Sequence, residues 1–326
     1  MIFETRPLHA AKGTVLARDI TLKTGVRFSA GRPIGPSEIA ALTMAGLREL
    51  DVVALDLHDV VANEAAKRIA EVLVPHASDA NLRISGAAGG RIDFRAVCAG
   101  VLGIDTYGVT RMNRVDEGIA IITLPQFHFV RAGDLVASLR IVPLAVRRYA
   151  ISQVIEEGED MMRLRPVIAE RVTLIQTVEG GDTSQVHGEP VIRARLARMG
   201  IRLTESLVVA HREGALAEAL LSASGEAVLI LTARETVDRG DVAPAALKRA
   251  GGVITRFGLP VDPGARMFAG GLGAVPVLGL PKCAAEPEGN GTDWVLERLF
   301  CGVSISDDDL ADLGVGGLLS GKSERD

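Results

Sequence analysis

Residues 227–252 read AVLILTARETVDRGDVAPAALKRAGG, and residues 276–302 read PVLGLPKCAAEPEGNGTDWVLERLFCG. Each begins with a short apolar run of strand-forming residues and breaks off into charge. The first run ends at Arg234, Glu235, Asp238, Arg239 and Asp241, and the second ends at Lys282. A helix-like segment, VAPAALKRA, follows the first run and is closed by Gly251. Two buried strands would therefore each deliver charged side chains at their C-terminal ends. In an open α/β sheet that edge is where ligands bind. The residue types point to an anionic ligand with room for a metal ion.

Strand and helix signals alternate on both sides of these stretches. VTLIQT predicts a strand, EPVIRARLARMG a helix closed by Gly200, ESLVVAH a strand and GALAEALLSASG a helix closed by Gly225. GVITRF, PVLGLP and the helix DWVLERL complete the series. GARMFAGGLG, with no helix after its glycines, reads as a hairpin turn and not as a dinucleotide fingerprint. The alternation predicts an α/β fold with a mostly parallel sheet and helices on both faces over residues 167–305. Residues 306–326 read as an extension with a polar tail.

The charge run EEGEDMMRLRP, ending at Pro166, reads as a boundary. Upstream, residues 1–80 predict an α+β region. Pro36-Ser37-Glu38 suits a helix start and Gly46 its stop. VANEAAKRIAEVL predicts a second helix, with Val61, Ala65, Ile69 and Leu73 on one core-facing side. Residues 81–166 read as a β-rich subdomain of short strands and turns, including IAIITL, LVASLRIVPLAV and the glycine-rich turn SGAAGGR.

Composition narrows the function. Aromatic residues make up 3% of the chain, which argues against stacking on single-stranded nucleic acid. A net charge of −5 gives no general attraction to nucleic acid or to an anionic membrane. The three widely spaced cysteines, Cys98, Cys283 and Cys301, form no CxxC pair and fit a reducing cytoplasm. No signal peptide and no apolar run of membrane-spanning length is read.

At the predicted strand ends stand Glu179 and Asp182, then His211 and Arg212, then the 234–241 cluster, then Lys282. Asp241 reads equally as the N-cap of the helix that follows and as a magnesium ligand or acid/base group beside a phosphate. Arg234 and Lys282 read either as surface cations or as phosphate ligands. Cys283, next to Lys282, is a structural thiol or a charge-activated one. His211 reads as polar edge before catalytic base.

The residues also resemble a known family. TARETVDRGDVAP is similar to the pterin-phosphate loop of molybdopterin-binding proteins of the MoaB/Mog and MoeA families. There, an apolar strand leads into a Gly-Gly-Thr-Gly turn and an Asp-Val-Thr-Pro-like helix start, matched here by Asp241-Val242-Ala243-Pro244. PVDPGARMFAG resembles that family's Lys-Pro-Gly-Lys-Pro segment, and VLGLPKCAAEP its Gly-Leu-Pro-Gly-Asn-Pro loop. AKGTVLARDI and the segment from Arg27 to Asp56 look like MoeA-type accessory segments. The motifs VDRxDVxPAA, GGxIxxxGxPVDPG, PVLGLPxCAxxPxxNGxDWVLxRL and GVGGLL further resemble the non-catalytic half of fused molybdenum-cofactor cytidylyltransferase-type proteins.

The resemblance implies a cytoplasmic, homo-oligomeric protein of molybdenum-cofactor biosynthesis that binds molybdopterin, or its molybdenum or nucleotide form. It implies cofactor contacts at Thr232, Arg234, Glu235, Thr236, Arg239, Pro263, Gly264 and Lys282. Asp241 and Asp238 would be catalytic, and Asp241 with Asp182 would hold Mg²⁺. Two departures stand out. Ala233-Arg234-Glu235-Thr236 replaces the Gly-Gly-Thr-Gly turn, and Lys282-Cys283-Ala284 replaces the Gly-Asn-Pro loop. Bulkier residues weaken phosphate binding by backbone amides, so side-chain charge at Arg234 and Lys282 is expected to take over. Two alternatives to simple binding stay open: an active molybdenum or nucleotidyl transferase, and a delivery or scaffold partner of a separate cytidylyltransferase or molybdoenzyme.

Overall fold

The computed structural model describes residues 1–181, 186 and 188–319. The chain forms two compact units, Met1–Arg165 and Pro166–Asp326.

In the first unit, strands Ile2–Pro7, Glu49–Ala54 and Val15–Leu16 form an antiparallel sheet with Glu49–Ala54 in the middle. The helix Pro36–Met44 stands at the predicted place, with Pro36 in its first turn and Gly46 past its end at φ +84°. Leu16, Phe28, Ile34, Leu42, Leu50 and Val52 make the local core. The helix Ala62–Leu73 buries Ala65, Ile69 and Leu73 as its stripe requires. It packs on a four-stranded antiparallel sheet in the order Ile119–Thr123, Leu135–Ile141, Arg91–Ala96, Leu82–Ala88. SGAAGGR carries the hairpin turn between the last two of these strands.

Reading residues 81–151 as only strands and turns misses two helices, Thr106–Val115 and Arg148–Glu156. Their apolar sides are narrow: Val109 and Met112 in one, Ala150, Ile151 and Val154 in the other. The available signal was Asp105, whose side chain accepts the Gly108 N–H at 2.8 Å as an N-cap.

The second unit is an α/β layer. Its strands are β1 (Arg171–Val178), β2 (Arg202–Ala210), β3 (Ala227–Leu231), β4 (Val253–Phe257), β5 (Phe268–Leu272) and β6 (Val275–Leu280). Its helices are α1 (Glu189–Arg198), α2 (Glu213–Ser222), α3 (Val242–Arg249), α4 (Gly291–Phe300) and the short α5 (Asp307–Ala311). The sheet order is β2-β1-β3-β6-β5-β4. β2, β1, β3 and β6 are parallel; β5 runs against both β6 and β4. The expected mostly parallel sheet is thus present, with an antiparallel strand inserted near one edge.

Strands β1 and β3 are buried almost throughout because both faces of the sheet are covered, which is why they read as continuous apolar runs. On one face Ile175, Val228 and Ile230 pack with Leu216, Leu220, Ala246 and Leu247 of α2 and α3. On the other, α1 and α4 are joined by Arg195 and Asp293.

FAGGL is strand β5, not the hairpin turn that its glycines suggested; the turn lies at Gly273. The glycine of β6 shows why small residues recur here. A Cβ on Gly279 would lie 1.8 Å from the ring of Phe268, its partner across the antiparallel pair. Among the described residues, no helix is long and apolar enough to cross a membrane.

Candidate functional site

The C-terminal ends of β1, β3 and β6 lie side by side, so the loops that follow them share one edge of the sheet. Thr177, in β1, organises the first junction. Its buried hydroxyl accepts the N–H of Ala233 at 2.9 Å, fixing where the chain leaves β3. The same hydroxyl lies 2.9 Å from Nδ1 of His211, directly after β2. His211 therefore serves as a polar tie between strand ends, with its backbone N–H also held by Val178 O at 2.8 Å.

The loop from Thr232 to Asp241 is shaped by its own polar side chains. Asp241 is the N-cap of α3: one carboxylate oxygen accepts the Val242 N–H at 2.8 Å, and the other accepts the Val237 N–H at 3.2 Å. Asp238 accepts the Gly240 N–H at 2.7 Å. Thr236 is buried, and its hydroxyl lies 3.5 Å from that of half-buried Thr232. Arg234 pairs with Glu179 at 2.6 Å across the β1 and β3 loops, and Glu235 pairs with Arg266 at 2.7 Å across the β3 and β4–β5 loops. These are exposed pairs, with Arg234 at 74% exposure, so they guide loop placement more than they stabilise the fold. Arg239 and Lys282 are exposed and have no ion-pair partner among the described residues.

Pro263 and Gly264 occupy the loop between β4 and β5. The Pro263 carbonyl accepts the Gly291 N–H at 2.9 Å, tying this loop to the start of α4. Gly264 is buried at φ +135°, and a Cβ there would lie 3.0 Å from Gly291 N. That glycine is required by the backbone and the α4 contact.

The loop from Pro281 to Asn290 is held by a buried cation. Arg195 of α1, 4% exposed, donates Nε–H to Ala284 O at 3.2 Å. One terminal nitrogen bonds both oxygens of Asp293 at 2.5 and 2.6 Å. The other bonds the carbonyls of Glu286 and Glu288 at 2.5 and 2.7 Å. Every nitrogen of the guanidinium is engaged, which is what allows the charge to be buried. Asn290 completes the clamp. Its Nδ2 donates to Cys283 O at 3.0 Å, and with Asp293 it forms the capping box of α4. Burial, reinforced by Glu286, pushes the Cys283 thiol up from its usual range, so the structural reading of this cysteine holds over the charge-activated one.

A second polar side chain at the edge was not singled out from the sequence. Gln176 is 4% exposed, and its Nε2 has no hydrogen-bond partner among the described residues. It lies on the α1 side of the sheet: its Oε1 is 3.5 Å from the position a Cβ would take on Gly188, the residue preceding α1. The signal was present as one polar residue inside the apolar run LIQT. Arg195, flanked by buried Ile192 and Leu196, was equally visible as a cation on an apolar helix face.

The structure thus gathers Thr232, Arg234, Glu235, Thr236, Arg239, Asp238, Asp241 and Lys282 onto loops of one sheet edge. The Glu235–Arg266 pair and the Pro263–Gly291 bond tie the Pro263–Gly264 loop to them. Asp182, the other expected magnesium ligand, lies outside the described residues. Among the described residues, no three His, Cys, Asp or Glu side chains converge to hold a metal ion. The orphaned Gln176 donor fits an acceptor-rich ligand.

No protein-family model matches the sequence, and no curated protein matches it. Among solved structures, the chain is similar to the molybdopterin biosynthesis enzyme MoaB from Thermus thermophilus, at 17% identity and a TM-score of 0.30, covering 41% of this chain and 97% of that one. It is also similar to the molybdopterin biosynthesis MoeA protein from Pyrococcus horikoshii, at 12% identity and a TM-score of 0.27, covering 93% of this chain and 74% of that one.

Proposed function

We propose that the second unit binds a molybdopterin-type ligand of molybdenum-cofactor biosynthesis, holding its phosphate at the C-terminal edge of the sheet. One observation carries the reading. The three segments that resemble motifs of molybdenum-cofactor proteins, at 232–244, 260–270 and 276–299, are separate in sequence and are tied together in space. The ties are the Glu235–Arg266 pair and the bond from Gly291 to Pro263. Arg239 and Lys282 supply positive charge not already neutralised by a described carboxylate, and Arg234 can exchange Glu179 for a phosphate oxygen.

Binding without turnover is favoured over transferase chemistry. Asp241 and Asp238 use carboxylate oxygens on loop N–H groups, which is a structural task. Delivery of the bound cofactor to a separate cytidylyltransferase or molybdoenzyme then becomes the biological role.

The test is a titration of the protein with molybdopterin, with and without Mg²⁺. Arg234→Ala, Lys282→Ala and Asp241→Asn run in parallel. Saturable binding is expected, weakened about tenfold by loss of either cation, the worth of one charge-assisted hydrogen bond. Mg²⁺-dependence lost in Asp241→Asn would return the metal role to that residue. Wild-type protein that shows no saturation at high micromolar ligand overturns the proposal.

A further inference from the structure

The basic side chains at the sheet edge are exposed, whereas among the described residues the Gln176 amide nitrogen and the Thr292 hydroxyl are buried without a partner. Gln176 stands two residues before the end of β1, between Val208 of β2 and Leu231 of β3. A buried amide without an acceptor is costly and is rarely kept without a use.

Its surroundings point to the use. The Oε1 end of the amide lies 3.5 Å from where a Cβ on Gly188 would stand; Gly188 precedes α1 and provides no side-chain cap to that ten-residue helix. The one acid in the first turn, Glu189, is turned away: its two oxygens bond Arg193 at 2.6 Å and Ser206 at 2.7 Å. The N-terminal N–H groups of a helix, with the dipole behind them, favour an anionic oxygen. Glycine is required at 188 by close packing, since a Cβ there would lie 2.3 Å from Leu231 Cδ1.

We infer that Gln176 Nε2 and the start of α1 form an acceptor seat for an anionic, phosphoryl-type oxygen of the bound ligand. Gln176 is then a recognition residue on the opposite side of β1 from the Thr177–His211–Ala233 junction. The side chain has three rotatable torsions and sits next to the strand end, so a change of rotamer brings its amide to the edge. This inference rests on the proposed ligand site and adds a neutral, desolvated donor to the exposed cations.

The experiment pairs Gln176→Met with wild type. Methionine keeps the length and the burial but removes the donor. Each protein is titrated with molybdopterin, and its thermal unfolding is followed in the absence of ligand. Selective ¹⁵N-glutamine labelling then reads the Gln176 side-chain resonance, identified by its loss in the variant, during titration with inorganic pyrophosphate. The expected result is an affinity loss of tenfold or more in Gln176→Met, with an unchanged or higher Tm, because the methionine leaves no orphaned donor. Wild-type binding with undiminished binding by the variant overturns the inference and leaves the ligand site standing. Failure of wild type to bind molybdopterin, with a saturable pyrophosphate shift at Gln176, overturns the molybdopterin reading and supports the oxyanion seat. Neither binding nor a shift overturns both.

Discussion

Glu297, on α4, gives a quantitative test of the second unit. Burial pushes its carboxyl up to about 7 from an ordinary 4.5, and the neighbouring charge of Asp293 adds to the effect. Arg198, at 4.0 Å and half exposed, and Arg298 pull the carboxyl back down, but by less than burial raises it. The folded protein keeps this group protonated in a range where the unfolded chain has released the proton. Its contribution to stability is therefore full below about 4.5, falls as pH rises toward 7, and is constant above that. The interval, at ~1.4 kcal/mol per pH unit, amounts to about 3 kcal/mol. Glu297→Gln removes the titration while preserving shape. The assay is urea unfolding at several values from pH 5 to pH 8, followed by the fluorescence of Trp294. That residue is the only tryptophan in the chain and lies one helical turn from Glu297. The variant should gain about 2–3 kcal/mol over wild type at pH 8 and much less at pH 5. Parallel pH profiles for the two proteins would refute the argument that burial holds this carboxyl neutral.

Three further outcomes follow from the geometry. Arg195→Met leaves Asp293 and three loop carbonyls without their donor, so it should cost about 3–5 kcal/mol, with faster hydrogen exchange over residues 284–290. Gly279→Ala forces a methyl into the Phe268 ring and should destabilise by roughly 1–3 kcal/mol in the same fluorescence assay. At the N-cap of α3, Asp241→Ala should cost ~1 kcal/mol and Asp241→Asn much less, because asparagine also caps; equal losses would refute the capping role.

The parts of the site that were legible in sequence are those set by local rules. Asp241 precedes a helix with proline near its start, and a carboxylate there caps whatever the fold. Arg234 and Lys282 follow apolar runs directly, so their placement at strand ends follows from the lengths of β3 and β6. Their partners were less legible. Nothing in residues 234–235 singles out Glu179 or Arg266, which come from loops 55 and 31 positions away. Gln176 and Arg195 were visible only as polar residues out of pattern. Whether such a residue is satisfied depends on chain segments that local periodicity does not describe.

By itself the sequence determined the alternating strands and helices of residues 167–305 and the charged ends of β3 and β6, because period, caps and turn residues act over a few positions. Tertiary structure alone decided that β5 enters the sheet antiparallel and that FAGGL is a strand. Its glycines are explained by the close approach of neighbouring chains, such as the contact between Gly279 and the Phe268 ring. It also decided that Arg195 is fully paired while Gln176 is not. Hydrogen-bond satisfaction is a property of the assembled environment, and two buried polar residues of similar appearance in the sequence can meet opposite fates.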